Sequence, residues 1–485
     1  MPSTPLISIR ATALTESGLF KGTHALDCPL WRDGRNVTFK DGGPEKVAGW
    51  VSVADSGAAG VVRGADALQD EAGVSRVFFG DQTKLYAWNG ATVSELGTGY
   101  TGYEDETSTH PATAWSFERF GNWELATNGK DAPQIWKGTG SFGPLAGVNF
   151  STAEILVRRG PHILAFNLTG WAAGNGKSTF AWCDADNPET WTTTSTNSAG
   201  DLPIRDMDGE IKAAVTWGEN IAVFGKADMY VVSYTGAPYY FGVQPALKGI
   251  GAVGKMSIAE VNRILYGFGP QGVWKTDGVT CEYLDTPALR SWIAENLDTT
   301  QLSKVCATYD ASTETIRWSL PTTGTGEPTV TIAFRVPNAS WSIEDYGRSA
   351  WVPRLGAFRY PIGISTDGKL WTHNVGVDAG AGVPMTAYVQ TRPFAADDAR
   401  AWSYIDTLSL QLRRLAGVVK VRLGGQANLD NAPSWSDWLA VDDGFEPIRL
   451  RKSGRFLTLE LRSDTVGADW AMSGFDLYGS RGGRI

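Results

Sequence analysis

The sequence is short of the residues that carry metal and redox chemistry. Among 485 residues there are four cysteines (Cys28, Cys183, Cys281, Cys306) and four histidines (His24, His110, His162, His373). The cysteines lie far apart with no C-x-x-C spacing, which argues against a zinc knuckle or a compact disulfide framework and leaves four buried thiols as the expectation. No H-E-x-x-H, no close histidine pair and no G-x-S-x-G elbow occurs, so metal-hydrolase and serine-hydrolase readings have little footing. No apolar run approaches the ~20 residues of a membrane span, and the opening MPSTPLISIR lacks the basic stretch and apolar run of a signal peptide. The expectation is a protein with no membrane anchor, made and kept in the cytosol.

Positive charge is scarce as well. The net charge is −9, and residues from 384 onward hold 13 Lys+Arg against 12 Asp+Glu, leaving 30 against 40 before them. Tight wrapping of nucleic acid through phosphate neutralisation is therefore not expected, although a polyanion could pass an acidic wall without sticking. Helical signals are few. The best is TPALRSWIAENL at 286–297, where Pro287 suits a first turn and Leu289, Ile293 and Leu297 fall four apart, as for a helix packed on a rim.

What the chain does have is bulk and turns: 20 Trp, 15 Tyr and 19 Phe beside 57 Gly and 23 Pro. Strand-forming aromatics alternating with tight-turn residues predict an all-β fold. From residue 77 a unit recurs, an apolar strand, a polar turn, a strand ending in an aromatic, then Gly or Asn. VFFGDQTKLYAWNGATVSEL at 77–96 reads as one β-hairpin with Asn89-Gly90 as its turn. Comparable stretches lie at 123–142, 162–194, 219–236, 263–284, 307–345 and 360–374, a spacing of roughly 40 to 50 residues. Such a repeat predicts a β-propeller of six or seven blades spanning residues 61–383, because each small sheet must stack on its neighbours to bury its faces. After the Gly-rich stretch 375–385 the rhythm changes to long strands alternating apolar and charged residues, at 403–426 and 445–463, which predicts a small C-terminal β-sandwich over 384–485. Residues 1–60 carry short strands broken by Asp33-Gly34 and Asp41-Gly42-Gly43-Pro44, and form an N-terminal arm or a closing blade.

Several motifs invite chemistry. Gly249-Ile250-Gly251-Ala252-Val253-Gly254 fits G-x-G-x-x-G, but without a strand-to-helix context it reads as a strand connection. Gly174-Asn175-Gly176-Lys177-Ser178 lacks the first glycine of a phosphate loop, since Trp171 stands in its place, and reads as a turn. Ser365-Thr366-Asp367-Gly368 followed by Trp371 looks like a sialidase-type Asp-box turn without its spacer, a structural device. Asp206 with Asp208, and Asp184 with Asp186, are candidate carboxylate pairs for glycoside hydrolysis, set in contexts where Asp ordinarily closes a turn. Trp435-Ser436-Asp437-Trp438 offers either a sugar-stacking platform or core and interface packing. None of these makes a catalytic, cofactor or metal assignment, and none is expected.

Three stretches carry a family resemblance. WSFERFGNWELATNGKDAPQIW at 115–136, marked by Trp123, Asn128, Gly129 and Pro133, looks like a recurring propeller blade of podovirus tail proteins. The run 219–278 contains the glycine cluster without a nucleotide, and the ending 453–485, marked by Gly454, Arg455, Trp470, Gly474 and Phe475, is similar to the basic-tipped last strands of such proteins. Together they resemble the nozzle or packaged-DNA stabilisation family of short-tailed bacteriophages. The resemblance implies a non-enzymatic virion tail protein assembled in the host cytoplasm. It would form a homohexamer bound to the portal or adaptor proteins of the head-tail junction and to tail spikes or fibres. Double-stranded DNA would be retained and ejected along its axis without sequence-specific binding. The alternatives are a glycan-binding or glycan-hydrolysing propeller, using central carboxylates and exposed tryptophans, and a host scaffold for protein partners.

Overall fold

The computed structural model describes residues 5–10, 18–19, 31–40, 43–106, 111–172, 174–352, 358–395, 400–442 and 446–484. Cys28, His24 and His110 lie outside them. Seven four-stranded antiparallel sheets follow one another. Blade 1 runs from Ala65–Gln69 to Val93–Thr98, blade 2 from Ser116–Phe120 to Gly143–Pro144, and blade 3 from Thr152–Arg159 to Gly200–Pro203. Blade 4 runs from Ala213–Trp217 to Tyr240–Lys248, blade 5 from Ile258–Val261 to Cys281–Tyr283, and blade 6 from Cys306–Asp310 to Ser340–Glu344. Blade 7 combines Ala350–Val352, Ile362–Ile364 and Lys369–His373 with an N-terminal strand, Trp50–Asp55, as its fourth. The first strands of successive blades lie against one another, and that of blade 7 lies against that of blade 1. The ring is closed, and the protein is a seven-bladed β-propeller.

The composition explains how the blades fit. Several indoles lie flat on a glycine: a methyl added at Gly200 would stand 2.4 Å from the Trp182 ring, and one at Gly267 would stand 2.2 Å from that of Trp274. The indole N–H groups of both find carbonyls, Ser198 at 2.6 Å and Gly251 at 2.9 Å, as buried tryptophans require. Between blades the faces mesh as apolar layers. Phe166, Phe180 and Trp182 of blade 3 meet Ile221, Val223 and Tyr230 of blade 4, and Phe78 of blade 1 meets Trp136 of blade 2. The segment 77–96 contributes to three strands rather than one hairpin. Asn89-Gly90 makes the second turn, with Asn89 Oδ1 accepting from the Ala91 and Thr92 amides at 3.0 and 2.8 Å and Gly90 at φ 93°.

The remaining strands make two six-stranded sheets packed face to face. One contains Val37–Lys40, Gly43–Lys46, Ile448–Gly454 and the long pair Ala401–Ala416 and Asp469–Arg484, with Ile7–Arg10 alongside. The other contains Trp31–Arg35, Ala387–Thr391, Val419–Gln426 and Phe456–Ser463. Trp31, Phe39, Leu408, Leu459, Trp470 and Phe475 lie in their shared core. Both chain ends thus build this sandwich, and residues 31–55 feed the sandwich first and the propeller second. The sandwich abuts blade 6, where the Asn36 amide donates to the Ile343 carbonyl at 2.9 Å. The helix Pro287–Asn296 is capped by Thr286, whose side chain accepts from the Leu289 amide, and it buries Leu289 between blades 5 and 6.

Candidate functional site at the propeller mouth

The connection from blade 1 to blade 2 leaves its own blades and reaches residues 303–304 at the entry to blade 6. Its residues 99–106 are tied down at both sides. Near blade 1 the Gln82 amide donates to the Gly102 carbonyl at 2.6 Å, and Thr101 donates to Asp131 through its amide and hydroxyl at 3.0 and 2.8 Å. Lys130 donates to the Tyr103 hydroxyl and lies 4.0 Å above its ring. At the far side Glu106 accepts from the Ser303 amide and hydroxyl at 3.0 and 2.7 Å. Asp105 stands 3.5 Å from Lys304, whose side chain is only 1% exposed. Lys304 also donates to Glu327 at 2.8 Å, and Glu327 takes a second ion pair from Arg63 at 2.6 Å. Burial works to raise the Glu327 carboxyl, but Arg63 and Lys304 hold it below its ordinary value.

Two cavities flank this strap. One, of about 240 Å³, is lined by Gly60, Arg63, Tyr103, Glu104 and Glu327. The other, of about 70 Å³, is lined by Glu106 of the strap, Glu154 and Asn167 of blade 3, Glu210 of the link to blade 4 and Lys255 of the link to blade 5. Its carboxylates are paired: Glu154 with Lys255 at 3.0 Å, Glu210 with Lys177 at 3.1 Å and Lys212 at 2.6 Å. Burial pushes the Glu210 carboxyl up, and the two lysines more than offset it. The mouth is therefore a belt of compensated charge that binds blades to each other. Among the described residues no group of three His, Cys, Asp or Glu is arranged to hold a metal ion.

Of the motifs singled out from the sequence, Lys177 and Gly254 line the smaller cavity, and the others fall elsewhere. Asp184 and Asp206 stand beyond opposite ends of the last two strands of blade 3, which pair Trp182 with Gly200 at one end and Thr179 with Pro203 at the other. The two carboxylate pairs are not brought together. Asp184 closes a turn by accepting from the Ser198 amide and hydroxyl at 2.8 and 2.7 Å, and Asp186 occupies a left-handed position at φ 57°. Asp206 and Asp208 are exposed in the link to blade 4. Gly176–Ser178 forms a short 3-10 turn capped by Asn175, whose side chain accepts from the Lys177 amide. Ser365 to Gly368 form the turn inside blade 7, with Trp371 Nε1 donating to Ser365 Oγ at 2.8 Å. Trp435 and Trp438 clasp the Arg422 guanidinium, at 4.1 and 4.4 Å from the two rings, and Arg422 pairs with Glu460 at 2.6 Å. The expectation of four buried thiols is corrected: Cys183 and Cys306 are buried, but Cys281 is exposed, because it opens the outermost strand of blade 5. His162 and His373 are buried in separate places, His162 with Nδ1 2.8 Å from the Cys183 carbonyl.

The cluster 249–254 links blade 4 to blade 5 with no helix after it. A methyl at Gly251 would stand 2.0 Å from the Lys226 carbonyl oxygen, and one at Gly254 would stand 2.7 Å from that of Ser303. These glycines permit close backbone approach. Gly251→Ala is expected to lower stability by ~1–3 kcal/mol in a denaturant melt, with nucleotides failing to shift the melt of either protein.

The mouth itself was not legible in the sequence. Glu106 and Ser303 are 197 residues apart, and Arg63 and Glu327 are 264 apart, so no local spacing marks them. No protein-family model and no curated protein matches the chain. Among solved structures it is similar to BamB from Moraxella catarrhalis at 9% identity, over 72% of this chain and 94% of that one, with a TM-score of 0.35. It is similar to BBS1N in complex with ARL6DN at 13% identity, over 67% and 97%, with a TM-score of 0.36. It is also similar to a chain provisionally described as a gluconolactonase at 11% identity, over 68% and 93%, with a TM-score of 0.31. The propeller assignment stands on the closed ring of this chain's own blades.

Proposed function

We propose that this protein is a non-enzymatic structural subunit of a short bacteriophage tail, of the nozzle or packaged-DNA stabilisation kind. The observation that carries the reading is the strapped mouth. The strap of residues 99–106 ties blades 1 and 2 to residues 303–304 at the entry to blade 6, and its anchoring charges are paired, which suits a rigid building block better than a protomer that carries DNA through its own axis. A DNA passage then needs a ring of several copies, for which a homohexamer joined to the portal or adaptor proteins is the arrangement implied by the resemblance. Two features support a building-block role. The sandwich is made from both chain ends, its N-terminal strands lead directly into the strand Trp50–Asp55 that completes blade 7, and the net charge of −9 suits a wall along which DNA slides. No helix among the described residues is long and apolar enough to cross a membrane.

The test is electron microscopy of the purified protein together with mass spectrometry of virions that carry it. Six-fold rings with an axial channel, present in the virion, are the expected result. A monomer in purified virions, or absence from them, overturns the reading. Turnover of a glycan or lactone panel that is lost in Asp206→Asn or Asp208→Asn would overturn the non-enzymatic part.

A further inference from the structure

The seams that join blades 1, 2 and 3 contain more carboxylates than they can neutralise. Glu124, in the second strand of blade 2, is 0% exposed, and neither of its carboxyl oxygens has a hydrogen-bond partner. It stands opposite Arg119 across the first two strands and opposite Trp136 across the next pair. Arg119 is already drawn to Asp66 of blade 1, with Nε 3.3 Å from the carboxylate. Glu118, beside Arg119, reaches the next seam and accepts from the Arg158 amide of blade 3 at 3.0 Å. The charged groups bearing on Glu124 are Asp66 from blade 1 and Glu118 and Arg119 from its own blade. Three carboxyls thus share one guanidinium, in a place where an unpaired charge is expensive.

We propose that the junction of blades 1 to 3 is a proton-operated latch, shut while Glu124 and its neighbouring carboxyls hold protons and loosened as they ionise. Two carboxyls lie at the two seams, Asp66 beside Arg119 and Glu118 accepting from the Arg158 amide; these contacts favour the ionised forms, but burial outweighs them, so ionising either still costs the folded state. A neutral Glu124 sits in the layer beside Trp136 at far less cost than an ionised one. An ionised one has no donor to meet it, so water must enter between the blades. The expected directions agree. Burial pushes Glu124 well above the ordinary carboxyl range, Glu118 up to about 7 and Asp66 up to about 6. Carboxyls raised in the folded state stabilise it below their unfolded values, and that contribution is lost as pH rises through the folded values. The latch therefore weakens on going from acid to neutral and mildly alkaline conditions.

Hydrogen exchange of the full chain tests this, with rates corrected for the intrinsic pH dependence and compared with the blade 6 strand Thr315–Pro321 as reference. Between about pH 5 and about pH 8, protection in Ser116–Phe120, Trp123–Thr127 and Thr152–Arg159 is expected to fall roughly tenfold or more relative to the reference, one pKa unit being worth tenfold. Glu124→Gln keeps the shape but removes the ionisation, and should flatten most of that fall. Glu118→Gln should flatten it at Thr152–Arg159. Seam amides that track the reference at every pH in the natural protein overturn the proposal. So does a fall left unchanged in both variants.

Discussion

Arg317→Met is expected to destabilise the protein by about 3–5 kcal/mol, the cost of removing one partner from a buried ion cluster. Arg317 is almost wholly buried in blade 6. Its Nε lies 2.9 Å from Glu344 and its Nη1 lies 3.1 Å from Asp310, both of which are 2% exposed at the side chain. The Tyr346 hydroxyl donates a short bond to Glu344 as well. Asp310 is further held by Ser312, Thr313 and Asn374, the last from the end of blade 7, at 2.7, 2.8 and 2.7 Å. Burial favours its neutral form, yet Arg317 and these donors bring the Asp310 carboxyl down to about 2. A depressed carboxyl contributes stability that is present above its unfolded value of ~3.9 and is lost as pH falls towards the folded one. In the Arg317→Met protein the cluster keeps two negative charges and no positive one, so acid should stabilise the variant relative to the natural chain. A denaturant melt at neutral and at acid pH reads both effects. Adding Asp310→Asn and Glu344→Gln to Arg317→Met should restore most of the loss, because the cost comes from stranded charge. A loss below about 1 kcal/mol in the single variant, the scale of an exposed pair, would show that the cluster is hydrated.

How much of this the sequence discloses depends on range. The blade rhythm is local: Asn89-Gly90 and Ser365-Thr366-Asp367-Gly368 announce their turns, and both turns sit inside blades. The seven recurring stretches correspond to the seven sheets, since six blades are meanders of four consecutive strands and the seventh has three, all written in order. The helix at Pro287–Asn296 is legible for the same reason, through Thr286, Pro287 and the fourfold spacing of its apolar residues. Long-range partnerships are silent. Trp50–Asp55 reads as one more short strand, and nothing near it says that its partner is Lys369–His373. Glu124 reads as an ordinary charge within WELAT, although it is among the most deeply buried groups in the chain. Its burial follows from the ring, which stacks blade 1 and blade 3 on the two sides of blade 2.

The same asymmetry sets the energetics. Each blade is held by sequence-local hairpins, while the ring and the sandwich are held by pairings between the two ends of the chain. Arg348 stands at that joint. Buried between blades 6 and 7, it donates to His373 Nε2 at 3.0 Å and faces the rings of Tyr346, Trp50 and Trp371 at 4.6, 5.6 and 5.6 Å. Trp50 comes from the N-terminal strand of blade 7, Trp371 from the strand Lys369–His373 that pairs with it, and Tyr346 from the link between blades 6 and 7. His373 is kept neutral by burial and by the adjacent arginines, so its ring nitrogen is free to accept from Arg348.

Deleting residues 1–55 is therefore expected to abolish cooperative folding. The truncation removes Trp50–Asp55 and leaves Lys369–His373 as an open edge in a ring that needs seven complete sheets. It also removes Trp31–Arg35, Val37–Lys40 and Gly43–Lys46, and with them Trp31 and Phe39, each 1% exposed in the sandwich core. Replacing one such aromatic by alanine costs about 3–5 kcal/mol, against a total stability of about 5–15 kcal/mol for a typical domain. Losing both aromatics and five strands exceeds that margin. The truncated chain should bind a hydrophobic dye, aggregate and show no sharp thermal transition. A second truncation ending at residue 48 separates the two roles of the N-terminal segment. It retains Trp50–Asp55, so the blades should keep native hydrogen-exchange protection while Ala387–Thr391 and Asp469–Arg484 lose it. Supplying residues 31–55 as a separate peptide should restore protection to blade 7 of the shorter chain. A single sharp transition at the natural temperature after removal of residues 1–55 would mean that the ring closes without its N-terminal strand.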